Sequence, residues 1–183
     1  RRAVLMLAMS ATLISINWLV YVWAVQSHHV LAASLGYFLN PLVNVVLGMI
    51  FLRERLSRVQ AAAVGLAATG VLVLALDAGA GGWVSLVLAF SFGFYGLIRK
   101  LAPVESIEGL TIETALLTPV AAAYLIWLGP AMAFGSTPGL SVLLAAAGVI
   151  TAIPLLLFAA AARSLRYSLL GLLQYIAPTM QFL

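Results

Sequence analysis

The chain has 183 residues, of which 64% are hydrophobic and only 8% are charged, and its formal net charge is +4. A soluble domain carries about 25% charged and roughly 45–50% apolar residues, so a water-soluble fold of this size could not bury so much apolar surface. The composition therefore excludes a soluble protein and indicates the lipid bilayer as a partner. The basic residues stand beside apolar runs, which does not suggest a nucleic-acid partner. Without cysteine, no disulfide or thiolate metal site can form.

Seven continuous apolar runs are predicted to cross the bilayer as helices. One crossing takes about 20 apolar residues, with a range of about 17–25, whereas a membrane barrel would alternate apolar and polar residues. Connections of a few residues make neighbouring helices antiparallel. The predicted fold class is therefore all-α, a polytopic transmembrane helix bundle. The spans lie near residues 3–25, 30–52, 59–76, 83–98, 110–128, 140–162 and 167–183.

All nine Lys and Arg residues fall on one side of the membrane in this topology. Basic residues near span ends are retained in the cytoplasm during insertion, so they assign an orientation. We therefore expect a multi-pass protein of the cytoplasmic (inner) membrane with its Lys/Arg loops in the cytoplasm. The residues are Arg1, Arg2, Arg53, Arg55, Arg58, Arg99, Lys100, Arg163 and Arg166.

The two ends of the sequence suggest an internal piece of a longer protein. The first residue is not Met, and the last apolar run stops at Leu183. A signal peptide opening at Arg1-Arg2 is the alternative, but the first apolar run is too long for the apolar region of such a peptide.

A weak internal repeat appears when the chain is shifted by 137 positions, which lays the second span over the seventh. Five spans separate equivalent points, and an odd number gives the two copies opposite orientations in the membrane. Inverted repeats are a transporter device, in which one half rocks against the other around a midplane site. The matched prolines Pro41 and Pro178 are predicted helix breaks, although intramembrane proline can simply kink a helix. The other pairs include Ala24 with Ala161, Ser27 with Ser164, Leu35 with Leu172, and Phe38 with Tyr175.

The sequence from Pro41 to Ser57, followed by Gln60 and Gly65, resembles the end of a repeat in the EamA branch of the drug/metabolite transporter superfamily. Further segments resemble the RarD-type permeases of that branch: Asn17-Trp18, residues 37–41, residues 91–100, Glu113-Thr114 and residues 174–178. The resemblance covers essentially the whole chain. It implies a ten-span transporter of two inverted five-helix repeats, with residues 1–76 ending the first repeat and residues 77–183 opening the second, truncated one. It implies transport more firmly than any particular substrate.

Glu113 is the most informative single residue, because it lies about one turn inside the fifth predicted span. A charge at the centre of a membrane helix costs roughly 2.5–3.5 kcal/mol on insertion scales, so such acids usually have a role or a partner. The functional hypothesis is proton coupling or binding of a cationic substrate group. The alternative is that Glu113 reaches water at the cytoplasmic interface.

Amide and aromatic side chains inside the spans are candidates for a substrate cavity. Amides in a bilayer either bond across helices or face a wet cavity, and amides with aromatics suit a small organic molecule. For each residue alone, interhelical bonding or anchoring at the interface is the alternative. The candidates besides Glu113 are Asn17, Trp18, Tyr21, Tyr37, Asn40, Asn44, Tyr95, Gln174 and Tyr175.

Two further polar groups lie outside the spans. Glu54 is interpreted as a member of a local ion-pair cluster with Arg53, Arg55 and Arg58, with a gating role as the alternative. His28-His29 is an exterior loop pair, and a zinc site usually takes three or four protein ligands. No metal and no other cofactor is therefore expected.

Together these features predict a permease that moves a small organic metabolite or drug-like molecule by alternating access. Proton coupling through Glu113 is part of this hypothesis, and the oligomeric state cannot be read from the sequence. A membrane-embedded enzyme is disfavoured because no nucleophile–base pair or metal cluster falls within the spans. The remaining alternative is a non-transporting scaffold or receptor-like bundle.

Overall fold

The computed structural model describes residues 2–76, 81–129 and 137–181, in which eight α-helices and no strands are found. The all-α fold class predicted from the sequence is confirmed. The helices are α1 (Arg2–Gln26), α2 (Val30–Phe51), α3 (Arg58–Leu76), α4 (Gly82–Leu101), α5 (Ser106–Leu128), α6 (Pro138–Ser164), α7 (Tyr167–Gln174) and α8 (Ile176–Gln181).

Helices α1 to α6 are long and apolar enough to cross a membrane, and they match the first six predicted spans. The seventh predicted span differs, since it is divided at Tyr175 into the two short helices α7 and α8. Pro178 lies in the first turn of α8. A proline is tolerated there because the first N–H groups of a helix have no partner within it.

The predicted helix break at Pro41 is wrong, because α2 continues through this residue without interruption. Proline removes one helical hydrogen bond and disturbs the preceding turn. Residues of the seventh predicted span contact α2 at this turn. The Tyr175 hydroxyl donates to the carbonyl of Phe38 over 3.1 Å. The backbone at Gly171 comes so close that an added Cβ would lie 2.7 Å from the Pro41 carbonyl oxygen.

Helices α2 and α4 form the centre of the bundle. About half of the residues in their apolar stretches are buried, whereas few residues of α3, α5 and α6 are. Helix α4 packs against α1, α2 and α6, and α2 packs in addition against α7. The exposed surfaces are rich in large apolar side chains such as Leu66, Ile126 and Leu143, as expected where lipid is the solvent.

The described loops that carry basic residues meet at one end of the bundle. Lys100 Nζ donates to the carbonyls of Ala162 and Leu165, and Arg163 donates to that of Ala102. Cations on the last carbonyls of a helix complement its dipole. Lys100 and Arg163, two of the basic residues from which the membrane orientation is predicted, therefore hold the ends of α4 and α6 together.

The opposite end of the bundle is aromatic. Trp23 stacks on His29 at 5.2 Å between ring centroids and lies 5.3 Å from Trp83. Within the described residues, no group of three or more His, Cys, Asp or Glu side chains is placed to hold a metal ion.

Candidate functional site

Two buried polar clusters lie inside the bundle, on different faces of α4. The first, here called the amide cluster, consists of Asn40, Asn44, Gln174 and Tyr167 and joins α2 to α7. The second, here called the charged cluster, consists of Ser10, Arg99 and Glu113 and joins α1, α4 and α5.

The amide cluster is built on helical spacing. Asn40 and Asn44 lie one turn apart on α2, so both face α7. Gln174 Oε1 accepts from Asn44 Nδ2 over 2.6 Å and from Asn40 Nδ2 over 3.3 Å. Among the described residues, the buried Oδ1 of Asn40 has no hydrogen-bond partner. A buried acceptor without a partner is costly, so this oxygen is available to a ligand or to water.

Tyr167 completes the amide cluster at the start of α7. Its hydroxyl lies 2.6 Å from the Gly93 carbonyl oxygen and 3.0 Å from Asn44 Oδ1. Gly96 leaves room for this hydroxyl, because a Cβ there would collide with it. Sequence reasoning missed Tyr167, although it lies seven residues before Gln174 and therefore on the same face of the helix.

Trp18, Tyr21 and Tyr37 come together on one side of α1 and α2. The ring centroids of Trp18 and Tyr21 are 6.1 Å apart and those of Tyr21 and Tyr37 are 5.8 Å apart, both edge to face. The side chains of Trp18 and Tyr37 are exposed. These rings form an aromatic surface at the rim of the bundle, apart from the hydrogen bonds of the amide cluster.

Asn17 has a different environment from its aromatic neighbour Trp18. Its Nδ2 donates to the Leu88 carbonyl and to Ser91 Oγ, both over 2.9 Å. The amide nitrogen of Asn17 therefore joins α1 to α4, as expected if this residue bonds between helices.

The charged cluster surrounds Glu113, which is only 2% exposed and so does not reach water in this structure. Ser10 donates to Glu113 Oε1. Arg99, itself 1% exposed, places its Nε 3.8 Å from the same oxygen. Tyr95 lies one turn before Arg99 and close to both charges. Sequence reasoning placed Glu113 and Tyr95 among the candidates but assigned Arg99 only to membrane orientation.

Gly109 shapes the space around Arg99. A Cβ at this position would overlap the guanidinium group, so glycine is needed for Arg99 to lie against α5. Arg99 Nη2 donates to the Ser106 carbonyl over 2.8 Å. Among the described residues, Arg99 Nε and Nη1 and Glu113 Oε2 have no hydrogen-bond partner. The cluster therefore holds buried donors and one acceptor that protein groups do not satisfy.

Glu54 acts across the bundle and not within its own loop. Its Oε1 accepts from the Tyr167 N–H over 2.8 Å, and its Oε2 accepts from the Ser168 N–H over 2.8 Å and from Ser168 Oγ over 2.6 Å. The carboxylate thus caps the first turn of α7, where anions are favoured. No ion pair to Arg53, Arg55 or Arg58 is found among the described residues, so the interpretation of a local ion-pair cluster is wrong.

The capping bonds also determine the charge of Glu54. Burial raises the pKa of its carboxyl, but the hydrogen bonds from Ser168 and Tyr167 and the nearby Lys100 lower the pKa by more, so that it lies below its usual value. Glu54 is therefore ionised at neutral pH and joins the loop between α2 and α3 to the start of α7.

Comparison with known proteins reveals close relatives over nearly the whole chain. Residues 1–76 match the EamA-like transporter family. The chain is 55% identical to "Protein RarD" of Escherichia coli K12 over 98% of this chain and 62% of that protein. It is 49% identical to "Uncharacterized transporter YojE" of Bacillus subtilis 168 over 98% of this chain and 61% of that protein.

A more distant relative carries a more specific name. "Chloramphenicol-sensitive protein RarD" of Pseudomonas aeruginosa is 38% identical over 96% of this chain and 59% of that protein. The chain thus spans about three fifths of the length of the curated relatives it matches. No solved structure matches it.

Proposed function

Since this chain belongs to the EamA-like transporter family and is a RarD-type member of it, we propose that the protein moves a small organic molecule across the cytoplasmic membrane by alternating access. The two moving halves are inverted repeats, with residues 1–76 contributing to the first and residues 77–183 to the second. The Lys/Arg loops face the cytoplasm.

The observation that carries this proposal is the hydrogen bond between Tyr175 and Phe38. The two residues are equivalent positions of the proposed repeat, since they are 137 positions apart. Two residues that are related by a twofold axis can be in contact only where both lie close to that axis. The contact therefore supports an axis between α2 and α7, which is where inverted-repeat transporters bind their substrates.

The amide cluster next to this axis is the proposed substrate site. Its amides offer oriented donors and acceptors, and Asn40 Oδ1 has no hydrogen-bond partner among the described residues. Gln174 and Tyr175 come from the second repeat and Asn40 and Asn44 from the first, so motion of one repeat against the other would remake these contacts. Trp18, Tyr21 and Tyr37 would offer an aromatic surface for a substrate that approaches between α1 and α2.

Two contacts join the helices at the Lys/Arg end of the bundle. Glu54 joins the first repeat to the start of α7, and Lys100 binds the end of α6 beside it. Access from this side requires that Glu54 release Tyr167 and Ser168. These bonds are charge-assisted and only partly buried, so they can form and break as the repeats move.

Glu113 is the proposed coupling residue. A carboxylate this deeply buried needs a cation or a proton, and Arg99 is at hand but not hydrogen-bonded to it. A shift of α5 relative to α4 would change the distance between Glu113 and Arg99, and so would change whether Glu113 is neutralised by Arg99 or by a proton. Proton movement is thereby linked to the motion of the helices.

Flux in vesicles tests the proposal. The intact protein is reconstituted and a panel of labelled metabolites and drug-like molecules is screened for uptake that depends on the protein. We expect flux of at least one compound, and loss of that flux in Asn44→Ala. Saturable binding of a compound without flux would contradict transport and favour a scaffold or receptor-like bundle. Chemical conversion of a compound would instead indicate an enzyme.

A further inference from the structure

We propose that Arg99 binds the carboxylate of the transported substrate, at a second position besides the amide cluster, and that Glu113 occupies this position in its absence. This inference rests on the proposed transport function and names its substrate class, an organic carboxylate with an apolar body. The carboxylate of the substrate and that of Glu113 would compete for one guanidinium group.

The first argument is that the Arg99–Glu113 pair is incomplete. A guanidinium–carboxylate pair that is optimised by the fold forms two parallel hydrogen bonds of about 2.7–2.9 Å. Here the Nε–Oε1 distance is 3.8 Å, which is too long for a hydrogen bond. Among the described residues, Arg99 Nε and Nη1 and Glu113 Oε2 have no hydrogen-bond partner although they are buried. The guanidinium therefore keeps donors free for a second carboxylate.

The second argument is that the fold keeps both partners in place without their mutual hydrogen bonds. Arg99 is held by the Ser106 carbonyl at 2.8 Å and fits over Gly109. Glu113 is held by Ser10. Each side chain thus has a hydrogen bond that does not depend on its partner, so Arg99 stays oriented when an incoming carboxylate replaces that of Glu113.

The third argument is the group of aromatic rings that packs next to Arg99 in the bundle interior. Tyr95, one turn before Arg99, lies against Phe92 and Phe158, with centroid distances of 5.8 Å and 6.3 Å. Phe92 and Phe158 are 4.8 Å apart. A cation beside aromatic rings suits a molecule with one charged end and an apolar or aromatic body.

Displacement of Glu113 has a consequence for charge. Once Arg99 is taken by the substrate, Glu113 is a buried acid that faces Ser10, Tyr95 and the occupied Arg99. An uncompensated buried carboxylate is costly, so a proton binds to a Glu113 oxygen when the substrate carboxylate binds to Arg99. Net charge at the cluster is then unchanged, since one carboxylate replaces another.

The test compares carboxylates with neutral amides of the same shape. Benzoate against benzamide and phenylacetate against phenylacetamide are titrated into the intact purified protein, and the rise of its unfolding temperature is converted to Kd. At least one carboxylate should bind more tightly than its amide. Arg99→Lys should weaken this preference, because lysine keeps the charge but lacks the bidentate geometry.

Glu113→Gln gives the sharper result, because it removes the competing carboxylate. It should tighten carboxylate binding about tenfold, which corresponds to about 1.4 kcal/mol, and leave amide binding unchanged. Glu108→Gln is the matched control, since Glu108 is exposed on the same helix, and it should change neither. Equal binding of acid and amide, no binding of either, or no tightening in Glu113→Gln would each overturn the inference.

The inference and the proposed function fail separately. Flux of neutral or cationic compounds without any preference for carboxylates would leave transport standing and overturn the role of Arg99. Carboxylate binding that is strengthened in Glu113→Gln, but with no flux of any bound compound, would support the site and contradict transport.

Discussion

The hydroxyl of Tyr175 donates a hydrogen bond to the backbone carbonyl of Phe38 over 3.1 Å, and the two residues are 137 positions apart, the offset of the proposed internal repeat. Tyr175 lies at the interruption between α7 and α8, and Phe38 lies in the turn before Pro41. One bond therefore joins the interruption after α7 to the turn of α2 that precedes Pro41.

Tyr175→Phe should weaken this junction without leaving a cavity. The lost hydrogen bond should lower the free energy of unfolding by about 0.5–1.5 kcal/mol, measured by denaturant titration in detergent. Tyr124→Phe is the control, because Tyr124 is exposed on α5, and it should have little effect. An equal loss in both variants would show that the contact with Phe38 does not hold the junction.

Asn44→Ala should destabilise the amide cluster more strongly than a surface change. It leaves Gln174 without the bond of 2.6 Å and removes one neighbour of the Tyr167 hydroxyl. A buried polar group that loses its partner costs about 1–3 kcal/mol. Thermal unfolding should show this loss, whereas Thr118→Ala, which removes only a bond within its own exposed turn, should be nearly neutral.

Glu54→Gln should destabilise the protein at neutral pH by about 1–2 kcal/mol, because it removes the charge that caps α7. The pKa of Glu54 is lowered in the folded state, so its contribution is fully present above the unfolded pKa of about 4.3. It is lost as pH falls through the lower folded pKa.

The measurement for Glu54 is unfolding over a pH series. The stability curves of the wild type and Glu54→Gln should differ above about pH 5 and approach each other at lower pH. Arg55→Gln changes an exposed charge of the same loop and should shift stability by the same small amount across this range. Parallel curves for the wild type and Glu54→Gln down to the lowest pH would contradict the capping role.

Gly109→Ala should displace Arg99, because the added Cβ would overlap its guanidinium. Overpacking of this kind costs about 1–3 kcal/mol. Gly65→Ala is the contrast, since nothing lies within 4 Å of a Cβ at that position. In a helix interior, alanine is favoured over glycine by roughly 1 kcal/mol, so unfolding experiments should show the two substitutions acting in opposite directions.

Glu113→Gln should remove the pH dependence of flux, because glutamine cannot exchange a proton. In vesicles, the wild type should respond to an imposed pH gradient, and the variant should transport at a rate that the gradient does not change. Glu105→Gln, at the exposed start of α5, should respond as the wild type does. A gradient response that survives in Glu113→Gln would assign coupling to another group.

The number and position of the long helices follow from the sequence with little ambiguity, because a lipid environment requires continuous apolar runs of one length. Six of the seven predicted spans correspond to α1 to α6. The interruption at Tyr175 is different, since the break that the sequence predicts in this run is at Pro178. The packing of α7 against α2 and the cap that Glu54 provides at the first turn of α7 stabilise this arrangement.

The candidate residues show the same division. Amides and an acid within apolar runs identify Asn40, Asn44, Gln174 and Glu113, because such groups are costly in lipid unless they have partners. Their partners could not be identified in this way. Arg99 resembles an orientation signal, and Glu54 resembles a member of its own basic loop, until the fold brings α5 and α7 to them.

The sequence by itself therefore determined the class and the six long helices, since these depend on the composition of each segment and on the solvent around it. Only the tertiary structure decided which polar groups meet, because hydrogen bonds between helices depend on register and rotation over distances of 100 residues or more in the chain. Ser10 and Glu113 are separated by 103 positions, and Glu54 and Ser168 by 114. No local pattern encodes either contact.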